Sequence, residues 1–141
     1  MGENMSRQKM TAKEVLERYA QGERDFRNVD LWEAVLTFAN LEGANFEGAD
    51  LGSTMLRYAN LKGANLSHAN LRGANLEGAN LQNANLKNAD LAGAMLRKAI
   101  FSRADLSNAD LRDADFASAN FRGANLKGTK IFIGKEDVVI Q

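Results

Sequence analysis

With 141 residues, no cysteine, and 18 basic residues balanced by 18 acidic ones, the chain is one domain's worth of neutral polypeptide. Those numbers exclude disulfides, thiolate metal sites and thiol nucleophiles, and they lack the basic excess of a nucleic-acid binder. No run of about 18 apolar residues is present to span a membrane, and the polar start lacks a signal-like apolar core, so a cytoplasmic location is expected.

Residues 1–10 show no periodicity and are expected to be disordered. From Thr11 the pattern changes. Thr11-Ala12-Lys13-Glu14 has the spacing of a capping box, in which the Thr and Glu side chains each satisfy the other's backbone N–H. Ala12, Val15, Leu16 and Tyr19 follow on one helical face, and Gly22 suits a stop. The pattern predicts a helix over 11–22 that covers the open end of the repeat region beginning at residue 23, with partner docking as the alternative.

Residues 23–133 carry a five-residue repeat. Leu, Phe or Ile stands at every fifth position from Phe26 to Ile131, 22 positions without insertion or deletion. Ala precedes it by two residues in 18 of the 22; the others are Arg24, Val29, Thr54 and Thr129. The residue between is usually Asn or Asp. Ala and Leu, two apart on extended backbone, point to the same side. The next two residues must then turn a corner, or alternation would send the following Ala outward. Gly at the second corner position in eight units, Gly43 and Gly78 among them, tolerates the backbone angles a corner needs. Short sides joined by corners close into coils, and coils stack into an all-β solenoid. The absence of proline fits, since proline cannot donate to a hydrogen-bond ladder. Arg24 in an Ala position is expected at the cap edge, paired with Glu23 or Asp25, because an isolated buried guanidinium is costly.

Uninterrupted units such as Ala64-Asn65-Leu66-Ser67-His68 and Ala74-Asn75-Leu76-Glu77-Gly78 resemble the pentapeptide-repeat family, whose pattern is A(D/N)LXX, in its cyanobacterial style. The resemblance implies a right-handed quadrilateral β-helix with four pentapeptides per coil and an N-terminal capping α-helix. The stack would hold about five and a half coils and stand roughly 25 Å tall at about 4.8 Å per coil. With no catalytic constellation, thiol or phosphate loop in the sequence, the expected function is a non-enzymatic interaction scaffold with an unidentified protein partner and no cofactor. Some members act instead as DNA mimics on gyrase, which is the alternative function.

At the far end, Phe132 and Ile133 occupy positions that in most other units carry a polar residue or Gly. Gly134 to Asp137 reads as a turn, and Val138, Val139 and Ile140 as a strand of a 134–141 tail. The tail either folds over the last coil as a cap, leaving a monomer, or Phe132, Ile133, Val138, Val139 and Ile140 form the seam of an end-to-end homodimer, a use the resemblance also implies.

A 20-residue coil places residues 20 apart in vertical columns. Asp30, Asp50, Asp90 and Asp110 then form an acidic column, the one a DNA mimic would use. The face beginning at Leu41 is basic on balance, with Lys62, Arg103 and Arg122 against Glu42. On the face beginning at Leu36, Val35, Met55 and Met95 stand where Asn or Asp is expected, with Phe38 and Tyr58 at its corners and Ile100 on the next face. Clustered apolar surface marks an interaction site, and Met adapts to varied partners. The alternative is that Phe38, Tyr58 and Trp32 pack beneath the N-terminal helix. His68, the only histidine, sits at a corner beside Ser67 with no third partner, so neither a catalytic constellation nor a metal set is expected.

Overall fold

Each five-residue unit is a short side and a corner. In the computed structural model, which describes residues 7–133 and 135–141, the Asn or Asp position of each unit forms a parallel bridge with the residue 20 further on. The series runs from Asp25 with Asn45 to Asp110 with Lys130, 18 bridges in unbroken register. One coil is therefore four units. At each bridge both backbone groups are used: Asn45 N–H donates to the Arg24 carbonyl at 2.7 Å, and the Asn45 carbonyl accepts from Phe26 N–H at 2.7 Å. The corner is a β-turn, as where Ala44 N–H donates to the Leu41 carbonyl at 3.0 Å. Positive φ falls at the third turn residue and not the second, the sign pattern of a type II turn.

One N–H per unit, that of the residue after Leu, is left over, and it explains the Asn or Asp. All 17 Asn and Asp residues at that position from 25 to 125 accept this N–H on Oδ1, closing the corner with a side chain. A backbone donor without an acceptor would cost stability in so narrow a structure.

Positive φ recurs at every fifth residue from Asn28 to Gly128, and only eight of those 21 corners are Gly. The others, Lys98 and Phe38 among them, hold a conformation that costs an L-residue roughly 1–2 kcal/mol. Gly43→Ala, in open space at φ +71°, is expected to destabilise by about 1 kcal/mol, and the exposed Lys98→Gly to stabilise by up to about 1 kcal/mol. Opposite shifts of the urea midpoint check this. Shifts of the same sign would show that the corners are not where the strain lies.

The inward columns form the core. Phe26, Leu31, Leu36 and their successors to Leu111 are buried, with Ala64, Ala74 and Ala79 filling the narrow space between them. Phe26 stacks on Phe46 with centroids 5.4 Å apart, and Phe101 on Phe121 at 5.1 Å. Where Thr replaces Ala the buried hydroxyl is satisfied: Thr54 donates to the Leu51 carbonyl at 2.7 Å and Thr129 to that of Leu106 at 2.8 Å.

The first coil is covered. Strand β1 (Gln8–Lys9) pairs in parallel with β2 (Val29–Asp30), and Met10 is buried behind it. The expectation that 1–10 lacks structure therefore fails for 8–10, where Met10 supplies apolar cover that a polar reading of the segment overlooks; residues 1–6 lie outside the described residues. Helix α1 (Ala12–Ala20) begins with the reciprocal Thr11–Glu14 bonds, 3.1 and 2.9 Å. It buries Val15 and half-buries Ala12 and Tyr19, while Leu16 stays outside. Arg24 pairs with neither expected carboxylate. Its guanidinium lies 3.6 Å from the Tyr19 ring centroid and donates to the carbonyls of Tyr19, in the last turn of the helix, and Glu23, just beyond it.

The last coil is different. Strand β3 (Lys130–Ile133) turns back into antiparallel β4 (Glu136–Val139), so the tail strand begins before Val138; the Gly134 turn lies outside the described residues. Ile140 N–H then donates to the Thr129 carbonyl at 2.8 Å. Arg112 ties the hairpin down, bonding both oxygens of Asp110 at 3.0 and 2.8 Å and Asp137 at 3.1 Å. This covers one side of the coil. Phe116 is exposed, Phe121, Leu126 and Ile131 are half-buried, and with Leu111 and Ile140 they line an apolar cavity of about 130 Å³.

Candidate interaction face

Four corners break the side-chain rule, because Val35, Met55, Met95 and Ile100 offer no oxygen. The N–H groups of Thr37, Arg57, Arg97 and Ser102 consequently have no acceptor among the described residues. At Arg57 the loss is double. In the matching position Arg27 Nε donates to Asp25 at 2.9 Å and Arg112 Nε to Asp110 at 3.0 Å, whereas Arg57 Nε, beside Met55, is buried without a partner. Each exception therefore gives up a hydrogen bond worth about 0.5–1.5 kcal/mol.

Three of the four share one column: Val35 bridges Met55, Met55 bridges Asn75, and Asn75 bridges Met95. Phe38 and Tyr58 stack beside it with centroids 5.4 Å apart and rings 10° from parallel. The Tyr58 ring lies on Gly78, where an added Cβ would collide with it, and the Trp32 ring covers Gly52 in the same way. Glycine one coil below an aromatic corner is the sequence signal for this arrangement. The aromatics are not under the helix. Phe38 is 73% exposed, Val35 63% and Trp32 44%. On the first two coils Val35 and Met55, joined by their bridge, and the stacked Phe38 and Tyr58 are thus exposed apolar side chains, with Trp32 at the preceding corner. Met95 stands apart from them by one coil, behind Asn75.

The acidic column forms a ladder, but its charges are engaged. Lys9 lies 3.8 Å from Asp30, Arg72 3.0 Å from Asp90 and Arg112 2.8 Å from Asp110, while Asn70 donates to Asp50 at 3.1 Å. The Arg112 hydrogen bond holds the Asp110 carboxyl below its usual range, and Arg97 does the same to Asp115.

At the other candidate site, Ile140 lines the apolar cavity and Val138 is half-buried, while Phe132 and Val139 are exposed. The side chain of Ile133 lies outside the described residues. His68 is exposed, and the neighbouring Ser67 hydroxyl donates instead to Asn65 at 2.7 Å. Among the described residues no three His, Asp or Glu side chains converge as a metal set.

The family model for pentapeptide repeats (8 copies) matches residues 24–52, 34–73, 59–98, 74–113 and 99–131. The chain belongs to the pentapeptide repeat family. Among solved structures this pentapeptide repeat protein is similar to one from Nostoc Pcc 7120, at 34% identity over 88% of this chain and 81% of that one, with TM-score 0.31. A pentapeptide repeat protein from the Arabidopsis thaliana thylakoid lumen is 26% identical over 78% of this chain and 67% of its own, with TM-score 0.42. QnrB1, a plasmid-mediated fluoroquinolone resistance protein, is 22% identical over 77% of this chain, with TM-score 0.46; the chain spans 65% of its length. No curated protein matches the sequence.

Proposed function

We propose that this pentapeptide repeat protein is a non-enzymatic, rigid scaffold of right-handed quadrilateral coils that binds another protein through the face carrying Val35, Phe38, Met55, Tyr58 and Met95. The observation behind this reading is that the repeat gives up its corner hydrogen bond at four places, always for an apolar side chain, and that three of these lie on one face, two of them on the coils that carry exposed aromatics. An exposed apolar residue that costs the fold a bond is explained by burial against something else. The double variant Met55→Asn/Met95→Asn restores the family's own residue and separates binding from folding. A protein captured from the source lysate by the wild type and lost by the variant supports the face, and equal capture by both contradicts it.

The acidic column favours the DNA-mimic alternative less, because Lys9, Arg72 and Arg112 offset it and Lys130 ends it. A duplex presents its charges unpaired at regular spacing. Cytoplasmic location is part of the proposal; among the described residues no helix is long and apolar enough to cross a membrane.

A specific observation also favours end-to-end pairing of two copies. The N-terminal coil is covered by Val15 and Met10, whereas the C-terminal coil leaves Phe116, Phe121 and Leu126 partly open. In sedimentation equilibrium the wild type is expected at twice the monomer mass and Phe116→Glu at the monomer mass. A monomeric wild type would contradict the pairing.

A further inference from the structure

A second surface, on the face beginning at Leu41, differs in chemistry from the apolar one. Gln82, Ser102, Arg103, Asn120, Arg122 and Gly123 line a groove of about 470 Å³. No carboxylate is among them. Four other arginines of the coils find one. Arg72 and Arg97 reach the Asp 18 residues ahead, at 3.0 and 2.6 Å, and Arg27 and Arg112 the Asp two residues back. For Arg122 the residue two back is the amide Asn120, and the one 18 ahead is Ile140. Arg103 stands at the other corner position, above Gly123. Neither guanidinium has an ion pair among the described residues.

The neighbouring groups are donors as well. The Oδ1 of Asn120 accepts from Arg122 N–H at 3.0 Å, which leaves its amide N–H₂ to donate. Ser102 brings a hydroxyl, and its backbone N–H lacks the side-chain acceptor because Ile100 precedes it. Gly123 lines the groove beside Arg103; a Cβ there would lie 3.5 Å from Arg103 Cγ, an ordinary contact distance. Two guanidinium groups and adjacent neutral donors without a carboxylate match a doubly charged oxyanion, which guanidinium forks bind bidentately. The volume falls in the range of small-ligand sites, about 300–1,000 Å³, which is room for a phosphate and a small group that carries it.

We propose that this groove binds a phosphate monoester, with Arg103 and Arg122 as the charge-bearing pair. The test titrates the full chain with inorganic phosphate, with a phosphoserine peptide and with a nucleoside monophosphate, following backbone amide resonances at matched ionic strength. Saturable shifts of Ser102 and Gly123 with at least one ester are expected. Affinity should fall at least tenfold in Arg103→Gln and in Arg122→Gln, two exposed sites where the melting temperature should not move. A stronger response to the peptide places the phosphate on a partner chain, and a stronger response to the nucleotide on a free metabolite; both support the site. Shifts reproduced by sodium chloride alone, binding of inorganic phosphate with neither ester, or full affinity in both variants would overturn it.

Discussion

Leu76→Lys disrupts the middle coils. Leu76 is fully buried in a vertical column with Leu56 and Leu96. Truncating such a side chain costs about 2–5 kcal/mol. A lysine also brings an ammonium into a core that supplies no carboxylate, which adds to the penalty. Because each coil contacts only the coils above and below, the loss falls on two interfaces at once. The melting temperature is expected to drop by more than about 10 °C, or the protein to be recovered unfolded. An unchanged melting curve would show that Leu76 does not point inward.

Val15→Asp uncovers the first coil. Val15 is the one fully buried residue of helix α1, in one buried cluster with Phe26 and Leu31, the first large side chains of the core. A carboxylate there either lifts the helix or sits desolvated, and a solenoid whose end is uncovered exposes continuous apolar surface. A loss of roughly 3 kcal/mol is expected, from about 1.5–3 kcal/mol of burial and the desolvation of the charge, together with concentration-dependent association. Circular dichroism melts and light scattering of the variant check both effects. A variant as stable and as monodisperse as the wild type would show that the helix is not a cap.

Much of this architecture was legible because a five-residue marker fits only a chain that turns a corner every five residues, and the unbroken marker from Phe26 to Ile131 leaves the inward columns no ambiguity. The role of Asn and Asp was not legible. Periodicity says that a small polar residue recurs, and only the geometry shows its oxygen closing the corner. That is why Met55 and Met95 read from sequence as exposed apolar residues, and from structure as the loss of a specific bond. Corner position tells nothing about how a ring lies, so Trp32 and Phe38 fit equally well under the helix or outside it until their exposure is known. The strand at Gln8–Lys9 leaves no mark in the sequence, because two residues carry no period. Arg24 meets the Tyr19 ring because the helix end brings that aromatic face and the Tyr19 carbonyl within reach, while the carboxylates of Glu23 and Asp25 lie against Arg18 and Arg27.

Apolar residues at Asn or Asp positions cost the fold stability, and a partner that covers them explains their presence. A thermal melt of Met55→Asn/Met95→Asn puts that statement to the test. Each asparagine offers an acceptor to the Arg57 or Arg97 N–H, a gain of about 0.5–1.5 kcal/mol per site, against little loss of burial because both methionines are at least 40% exposed. A melting temperature several degrees above the wild type is expected. A melting temperature below it would show that the methionines serve the fold, and the interaction face would lose its support.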